Sequence, residues 1–299
     1  MSTPLNQQQK IILGLSLIPK FGFKRITQLL KVYKNWEKIW NLSYQDLQRI
    51  NLSPKLIKTF LENRNKIDLK EVWNKHIEQN IEIITYFDPE YPFLLKQIFS
   101  PPLVLFAQEN IELLKRKNFL SVVGSRKYTS YGESAIKEFI KPIAEKNITI
   151  ISGLALGIDA LAHIESINTI GSTIAVLGSP LNKIYPYQNL ELAQEIREKG
   201  LLISEFPIGS EIAKENFPMR NRIIAGMSSA TLIIEAQERS GALITGNFAL
   251  YENRELLVIP GSIFQNNCQG TNNLIKEGAR LVNDLSDILE IYEKSIIYL

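Results

Sequence analysis

The sequence predicts an α/β protein in which a small all-helical domain precedes a doubly wound, mainly parallel sheet. Two patterns lead to this prediction. Up to about residue 80, apolar residues recur at helical spacing in short units that prolines and glycines interrupt. From residue 118 onward, short runs such as FLSVVG, STIAVLG and ATLIIEA alternate with helical segments. Runs that are apolar throughout are typical of strands covered on both faces, as in a parallel sheet.

The same patterns divide the chain into three segments. We expect a helical domain over residues 1–80, a connecting segment packed on the next domain over 81–117, and the sheet domain over 118–299. In the first, LIPKFGFKRITQLL resembles a helix-hairpin-helix, and LQRINLSPKLIKTFL repeats it more weakly. Such a hairpin offers backbone N–H groups and a lysine to phosphates. We favour plain helix packing, because Lys20 and Phe21 occupy the usual second glycine-rich position.

Composition excludes several classes of protein. A chain of 299 residues that is 45% hydrophobic can bury a sizeable core and has room for about two domains. Its net charge of +3 permits a polyanionic partner only at a local site. The single cysteine, Cys268, excludes an intramolecular disulfide and a Cys-rich zinc site. We see neither a signal peptide nor an apolar run long enough for a membrane span, so we expect a cytoplasmic protein without membrane contact.

Glycine and hydroxyl residues follow several of the predicted strands. Their position matters because ligands of such sheets bind beyond the carboxyl ends of the strands. The residues are Gly124 and Ser125 with Arg126, Ser152 with Gly153 and Gly157, Gly178 with Ser179, and Ser240 with Gly241. Glycines let a ligand approach the backbone, and arginine offers a planar fork that matches phosphate. Because neither G-x-G-x-x-G nor G-x-x-x-x-G-K-[ST] is present at these turns, they suit phosphate but not a standard nucleotide.

Titratable residues near these turns form no recognisable catalytic set. His163 lies on an amphipathic helix, where we expect it to pack or cap rather than to act as a base. Glu205 and Glu235 end two strands, and we expect them to pair with nearby arginines. Catalysis requires a nucleophile, a base and an orienting group to converge, and the sequence suggests no such convergence. We therefore predict no catalytic residue, no metal site and no cofactor.

The stretch FPMRNRIIAG places an aromatic ring and a proline before two arginines. Pro218 suits the first turn of a helix and favours an extended Phe217, whose ring would then face solvent and a base. Arg220 and Arg222 lie about 200° apart around the helix axis, so both cannot face one ligand. We expect Arg220 to reach the ligand pocket and Arg222 to pair with Glu205 or Glu235.

Seven motifs in order, VVGSRKYTSYG, SGLALGIDALAH, GSTIAVLGSPLNKIYPYQN, ISEFPIG, FPMRNRIIAG, SGALITG and VIPG, closely resemble the DNA-processing protein A family, also called DprA or Smf. The resemblance covers Asn118 to Val282. It implies an extended Rossmann-like domain after a sterile-alpha-motif-like helical domain, a homodimer, and binding of single-stranded DNA without catalysis. Members of the family act as mediators in natural transformation, where they load RecA onto incoming strands and relieve the block by single-strand binding protein.

Carried over by position, the resemblance places the family's DNA-binding arginine at Arg126, a lysine at Lys214 and a base-stacking aromatic at Phe217. Asn221 completes the candidate residues. The chain departs from many members in two ways: it ends too soon after Val282 for a C-terminal winged helix, and position 180 is proline where glycine is common.

An enzyme is the alternative to a mediator. In that case the turns beyond the carboxyl ends of the strands would hold a nucleotide or nucleoside phosphate, as in phosphoribohydrolases of a related Rossmann-like fold. Those enzymes share a PGG-x-GT signature, which VIPGSIFQN lacks.

Overall fold

The computed structural model describes residues 7–294. The chain forms two compact units, of which the first takes in the residues up to 89 together with 100–105. The second takes in 90–99 and the residues from 106 onward, so the predicted connecting segment is divided between the units. The predicted fold class, a mostly parallel α/β sheet preceded by a helical region, is confirmed.

Six helices and a strand make up most of the first unit. They are α1 (Gln7–Ser16), α2 (Phe23–Tyr33), α3 (Trp36–Trp40), α4 (Tyr44–Arg49), α5 (Pro54–Arg64), α6 (Leu69–Ile77) and β1 (Ile81–Thr85). Helices α3 to α6 each begin at a side chain that accepts a hydrogen bond from the first turn, as N-cap residues do. Their apolar faces meet in a core where the rings of Phe21 and Phe60 lie 5.0 Å apart.

The second unit alternates strands and helices, and β2 begins at its boundary. The elements are α7 (Phe93–Lys96), β2 (Val104–Glu109), β3 (Phe119–Gly124), α8 (Ser130–Glu145), β4 (Thr149–Ser152), α9 (Ile158–Ser166), β5 (Thr173–Leu177), α10 (Leu190–Lys199), β6 (Leu201–Ser204), α11 (Asn216–Met227), β7 (Ala230–Ile234), α12 (Gly241–Tyr251), β8 (Glu255–Val258), α13 (Gln269–Lys276), β9 (Arg280–Leu281) and α14 (Leu285–Lys294). The strands follow the order β2-β6-β5-β4-β3-β7-β8-β9, and within this series only β2 and β6 pair antiparallel.

Helices cover both faces of this sheet because side chains alternate along each strand. Leu120 and Val122 of β3 point to one face, where they share a core with Ile136 of α8 and with residues of α9 and α14. Ser121 points to the other face, and its hydroxyl donates to the Ile224 carbonyl oxygen of α11 at 2.7 Å. The strands are thus buried on both sides, as their continuous apolar runs predict.

The strand order creates a crevice beside β3. From β3 the chain moves outward through β4, β5 and β6, and then returns to β7 on the other side of β3. At such a reversal the connecting helices lie on opposite faces, which leaves a gap beyond the carboxyl ends of the strands. The turns that follow β3, β4, β5 and β7 therefore line one edge, which we call the carboxyl edge.

Candidate nucleic-acid interface

The turns after β3 and β4 pack directly against each other. Gly157 has a φ of 86°, and a Cβ atom there would lie 2.3 Å from the Ser125 carbonyl oxygen. That same oxygen accepts a hydrogen bond from the Ile158 N–H at the start of α9. Ser125 itself is buried, and its hydroxyl bonds to the backbone of Lys127. Ser125 therefore shapes the turn, and Arg126 is the side chain that projects from it into solvent.

The polar groups at the end of β4 already form hydrogen bonds within the protein. Ser152 is fully buried, and its hydroxyl donates to the Val122 carbonyl oxygen at 2.6 Å. The Gly153 N–H donates to a carboxylate oxygen of Asp159 at 3.1 Å. Asp159 sits in the first turn of α9, so the chain's own carboxylate occupies this helix start. The turn that was predicted to bind an anion from a ligand is thus occupied by the side chain of Asp159.

Arg220 points inward, and the expectation that it reaches the open pocket is wrong. The side chain is only 5% exposed, and its guanidinium donates to the carbonyl oxygens of Gly153 and Val176. A Cβ on Gly153 would lie 2.6 Å from this guanidinium, so glycine is needed to admit it. Burial lowers the pKa of Arg220 to about 10, although Asp159 opposes the shift. Arg220 therefore fastens the ends of β4 and β5 together beneath the surface.

His163 is a buried, neutral residue rather than a base at the surface. Its Nδ1 lies 2.7 Å from the Thr173 hydroxyl, which itself donates to the Ile150 carbonyl oxygen. The hydroxyl therefore accepts from Nδ1–H. Burial, reinforced by the Arg220 charge, lowers the pKa of His163 to about 3. The expectation of a packed histidine is confirmed.

Arg222 pairs with Glu205, which is one of the two partners predicted for it. Its Nη2 lies 2.7 and 2.8 Å from the two carboxylate oxygens, and both side chains are largely buried. The pair joins the end of β6 to α11. Both arginines of the FPMRNRIIAG stretch thus serve the fold, and neither is free for a ligand.

Glu235 does not pair with an arginine; its carboxylate lies at the start of α8 instead. It is 2% exposed and accepts hydrogen bonds from the N–H and the hydroxyl of Thr129. Gly132 makes room for it, since a Cβ there would lie 2.5 Å from the carboxylate. In dinucleotide-binding sheets the pyrophosphate occupies the start of the helix that follows this central strand. A fixed carboxylate at that place repels a nucleotide phosphate.

The exposed cations near the carboxyl edge include the predicted Arg126 and Lys214, together with Lys127 and Arg239. Arg126 follows β3, and Lys214 lies in the loop between β6 and α11. Neither side chain has a hydrogen bond or ion pair within residues 7–294. The charge of Arg126 also contributes to the lowered pKa of the buried Arg220, after burial. Because β3 and β6 are three strand spacings apart, their ends lie about 14 Å from each other.

Phe217 contacts the end of β5, a strand that lies between β3 and β6 in the sheet. It is the second residue of α11, so it is helical rather than extended as we expected, and Pro218 lies in the first turn. The ring is half-buried and rests on Gly178 at the end of β5, where a Cβ would lie 2.7 Å from the ring atom Cδ1. One part of the ring is therefore held by the sheet while the rest meets solvent.

Two tyrosines that the sequence did not single out extend this aromatic surface. The ring centroid of Tyr185 lies 5.4 Å from that of Phe217, and the centroid of Tyr187 lies 6.2 Å from that of Tyr185. Tyr187 is 73% exposed, and Tyr185 is 45% exposed. Asn189 anchors the segment through bonds from its amide to the carbonyl oxygens of Leu154 and Ala155. The motif YPYQN was the only sequence signal for these rings.

The remaining predicted residues have smaller parts in the geometry. Ser240 caps α12 by accepting from the Ala242 N–H at 3.3 Å, and Gly241 is exposed beside it. Asn221 accepts a hydrogen bond from Arg220 Nε at 3.1 Å. Gly124 packs on β7, where a Cβ would lie 1.9 Å from the Ile234 carbonyl oxygen. Gly124 and Asn221 therefore support the edge from below.

A family model described as DNA recombination-mediator protein A matches residues 82–293, more than two thirds of the chain. The chain belongs to this family. The resemblance seen in the motifs is thereby confirmed, and the description of this mediator family names a mediator rather than an enzyme.

Two bacterial members of the mediator family are similar in sequence to this chain along most of their length. The DNA processing protein DprA of Bacillus subtilis (strain 168) is 39% identical over 231 residues, which cover 77% of this chain and 78% of that protein. The protein of the same name from Streptococcus pneumoniae is 38% identical over 237 residues, with coverage of 78% and 82%.

Two solved structures of the mediator family have a similar fold. The X-ray structure of DprA from Streptococcus pneumoniae has a TM-score of 0.82 and 33% identity, and covers 96% of this chain and 98% of that chain. DNA processing protein A from Helicobacter pylori has a TM-score of 0.66 and 25% identity, with coverage of 72% and 96%. The latter structure is described as showing a unique single-stranded DNA binding mode.

Residues 7–294 contain no helix long and apolar enough to cross a membrane. Within the same range, no group of three or more His, Cys, Asp or Glu side chains is arranged to hold a metal ion.

Proposed function

We propose that this chain binds single-stranded DNA at the carboxyl edge of its sheet. One observation carries the proposal: Arg126 and Lys214 are exposed, follow β3 and β6, and have no partner within residues 7–294, while the half-buried Phe217 ring rests at the end of β5 between those strands. Cations neutralise phosphates, and an aromatic face stacks on any base, so this combination suits single strands of any sequence. The Helicobacter pylori relative, described as binding single-stranded DNA, supports the same conclusion.

Tyr185 and Tyr187 belong to the proposed site as further stacking surfaces. Their rings continue from Phe217 away from the Gly178 backbone, with centroid separations of 5.4 and 6.2 Å. Each stacked base contributes about 1–3 kcal/mol, so three rings give the site most of its affinity at high salt.

The cellular role that we propose is that of a cytoplasmic recombination mediator. The chain would act as a homodimer that holds single strands, displaces single-strand binding protein and loads RecA, in natural transformation or in general recombination. Membership of the mediator family supports this role.

The enzyme alternative is less consistent with the structure. A nucleotide phosphate at the start of α8 would meet the Glu235 carboxylate, which is fixed there by Thr129. His163 is buried and its pKa lies far below neutrality, so it is too weak a base, and too far from solvent, to take a proton from a substrate. Release of free base from nucleoside monophosphates, lost on Glu235→Gln, would favour the enzyme.

Titration of a labelled oligothymidylate and of the same strand in a duplex tests the binding proposal. We expect tight, salt-sensitive binding of the single strand and weaker binding of the duplex. Equal affinity for both would contradict a stacking site, because paired bases do not offer their faces. The mediator role is tested separately, by measuring RecA-dependent ATP hydrolysis on strands coated with single-strand binding protein. The chain should shorten the lag before hydrolysis.

A further inference from the structure

Positive charge is concentrated in the helical unit. That unit contains fourteen Lys and Arg against eight Asp and Glu, a net charge of +6. The sheet unit contains twenty Lys and Arg against twenty-three Asp and Glu, a net charge of −3. The mildly basic composition of the whole chain thus conceals one strongly basic unit.

Within this unit the charge gathers along α2. The fifteen residues from Lys20 to Lys34 include five cations and no acidic residue; the cations are Lys20, Lys24, Arg25, Lys31 and Lys34. Lys24 and Lys31 are seven residues apart, which places them about 20° apart around the helix and about 10 Å apart along it. Both are exposed, and the exposed Gln28 lies between them. We call this surface the α2 face.

Within the described residues, the charges of the α2 face have no acidic partner, and Arg25 donates only to the Lys20 carbonyl oxygen. None of its five cations forms an ion pair within residues 7–294. Elsewhere in the unit some exposed cations have partners, since Lys58 pairs with Glu62 and Lys75 with Glu71. Others, such as Lys55, Lys66 and Lys70, form no ion pair within the described residues. The α2 face differs from these single positions because five cations follow one another along the chain with no acidic residue among them.

Helix stability explains the charge of Lys31, which lies in the last turn of α2, but not the charges at the start of the helix. Lys24 and Arg25 lie in the first turn of α2, where the helix dipole disfavours cations. The helix starts at Gly22 without a side-chain cap, and its first turn contains no acidic residue. These features make α2 less stable, so a partner outside the chain is the better explanation for them.

The surface beside these cations is concave. Two clefts of about 300 Å³ each lie on either side of Arg25 and Gln28. One reaches toward residues 50–52 and is bordered by the exposed Val32, and the other includes Gly22, Lys24 and Ser100. Among the described residues, the aromatic side chains that line the clefts are the buried Phe21 and the half-buried Phe23, whose ring packs against Tyr86. The charged residues that line the clefts are cations, which suit phosphates.

We propose that the α2 face is a second contact for DNA, which binds the sugar-phosphate backbone of a single strand through charge alone. The proposal rests on the proposed function, which supplies the strand, but it assigns a separate site in the other unit. This contact adds salt-sensitive affinity and no base stacking.

The test uses the full chain with Lys24→Gln and Lys31→Gln combined. The probe is an oligothymidylate of about 40 nucleotides, longer than the site of a single binding unit. Because each neutralised phosphate contributes about 0.7 to the slope of log affinity against log salt, the variant should lose about 1.4 from this slope. A fourfold rise in salt should then weaken binding of the native chain about sevenfold more than binding of the variant. The variant should melt at about the same temperature, since one cation leaves the first turn of α2 and the other leaves the last turn.

The matched control combines Lys58→Gln and Lys75→Gln, which removes the same charge from paired positions of the same unit. We expect this control to keep the native slope. An equal loss in the control, or no loss in the α2 variant, would overturn the second contact. A loss confined to duplex DNA would also overturn it. None of these outcomes bears on the proposed site at the carboxyl edge. That proposal would fail if replacement of Arg126 and Lys214 left single-strand binding unchanged.

Discussion

The ring of Phe217 rests directly on Gly178, at a place where any side chain would collide with it. A Cβ at position 178 would lie 2.7 Å from Cδ1 of the ring and 3.1 Å from Cε1. The end of β5 therefore sets the height and tilt of the ring at the carboxyl edge. A base-stacking surface needs such support, because a ring that moves freely loses entropy on binding.

We expect Gly178→Ala to displace the Phe217 ring and to weaken single-strand binding by about 1–3 kcal/mol, the contribution of one stacked base. The slope of affinity against salt should not change, since no charge is altered. Fluorescence titration at several salt concentrations measures both quantities. Phe217→Leu is the matched comparison and should show the same loss. Native affinity in both variants would mean that the ring does not contact DNA.

Tyr185→Leu and Tyr187→Leu test the extended aromatic surface. Each should weaken binding by up to about 1–3 kcal/mol, again without a change in salt slope. Phe93→Leu serves as the control, because Phe93 is 74% exposed but lies on α7, away from the carboxyl edge. If the control weakens binding as much as the tyrosine variants, exposure rather than position explains the effect.

The sequence predicted the strands, and with them the position of Arg126 directly after a strand, better than it predicted the bonds of the groups beneath. The DNA-binding roles that the motif resemblance implies for Lys214 and Phe217 stay predictions. The roles of Ser152 and Arg220 depend on carbonyl oxygens that belong to other strands, 30 and 67 residues away in the chain for Val122 and Gly153. Spacing within one stretch, such as the two-residue step from Arg220 to Arg222, carries no information on such distant partners.

The same limit explains the errors at Glu235 and at the tyrosines. A carboxylate that ends a strand finds its partner in whichever helix begins nearby, here α8 at Thr129, and this depends on the packed fold. Tyr185 contributes to the site through its contact with Phe217, 32 residues later. The left-handed backbone at Gly157, by contrast, is of the kind that a glycine in a tight turn predicts.

Arg220→Lys should lower the free energy of unfolding by about 1–3 kcal/mol, although the charge is kept. A lysine cannot reproduce the planar fork that donates to two carbonyl oxygens, so a buried acceptor is left unpaired. The matched control is Arg222→Lys, whose partner Glu205 retains some solvent contact and which should cost less. Urea denaturation of the two variants measures the difference. Equal losses would argue that Arg220 has no special part in joining β4 to β5.

Stability should fall below neutral pH because His163 is buried in its neutral form. Its pKa in the fold is about 3, below the ordinary 6.5, so the unfolded chain binds more protons between these values. The stabilisation is fully present above about pH 6.5 and is lost as the pH falls toward 3, by up to about 1.4 kcal/mol per pH unit.

Urea denaturation of His163→Asn at about pH 5 and about pH 7 tests this dependence. The asparagine amide keeps a donor for the Thr173 hydroxyl but does not titrate, so the variant should show a weaker pH dependence than the native chain. His76→Gln is the comparison, because burial also lowers the pKa of His76. This variant measures how much His76 contributes to the pH dependence of stability. An unchanged pH dependence in His163→Asn would contradict the buried neutral state.

The most direct test of the central claim is the salt dependence of single-strand binding by Arg126→Ala and Lys214→Ala. Both side chains are exposed and unpartnered, so both variants should fold normally. Each should bind an oligothymidylate more weakly at low salt, with a slope of log affinity against log salt that is smaller by about 0.7. Affinities and slopes equal to those of the native chain in both variants would show that the strand does not bind at the carboxyl edge.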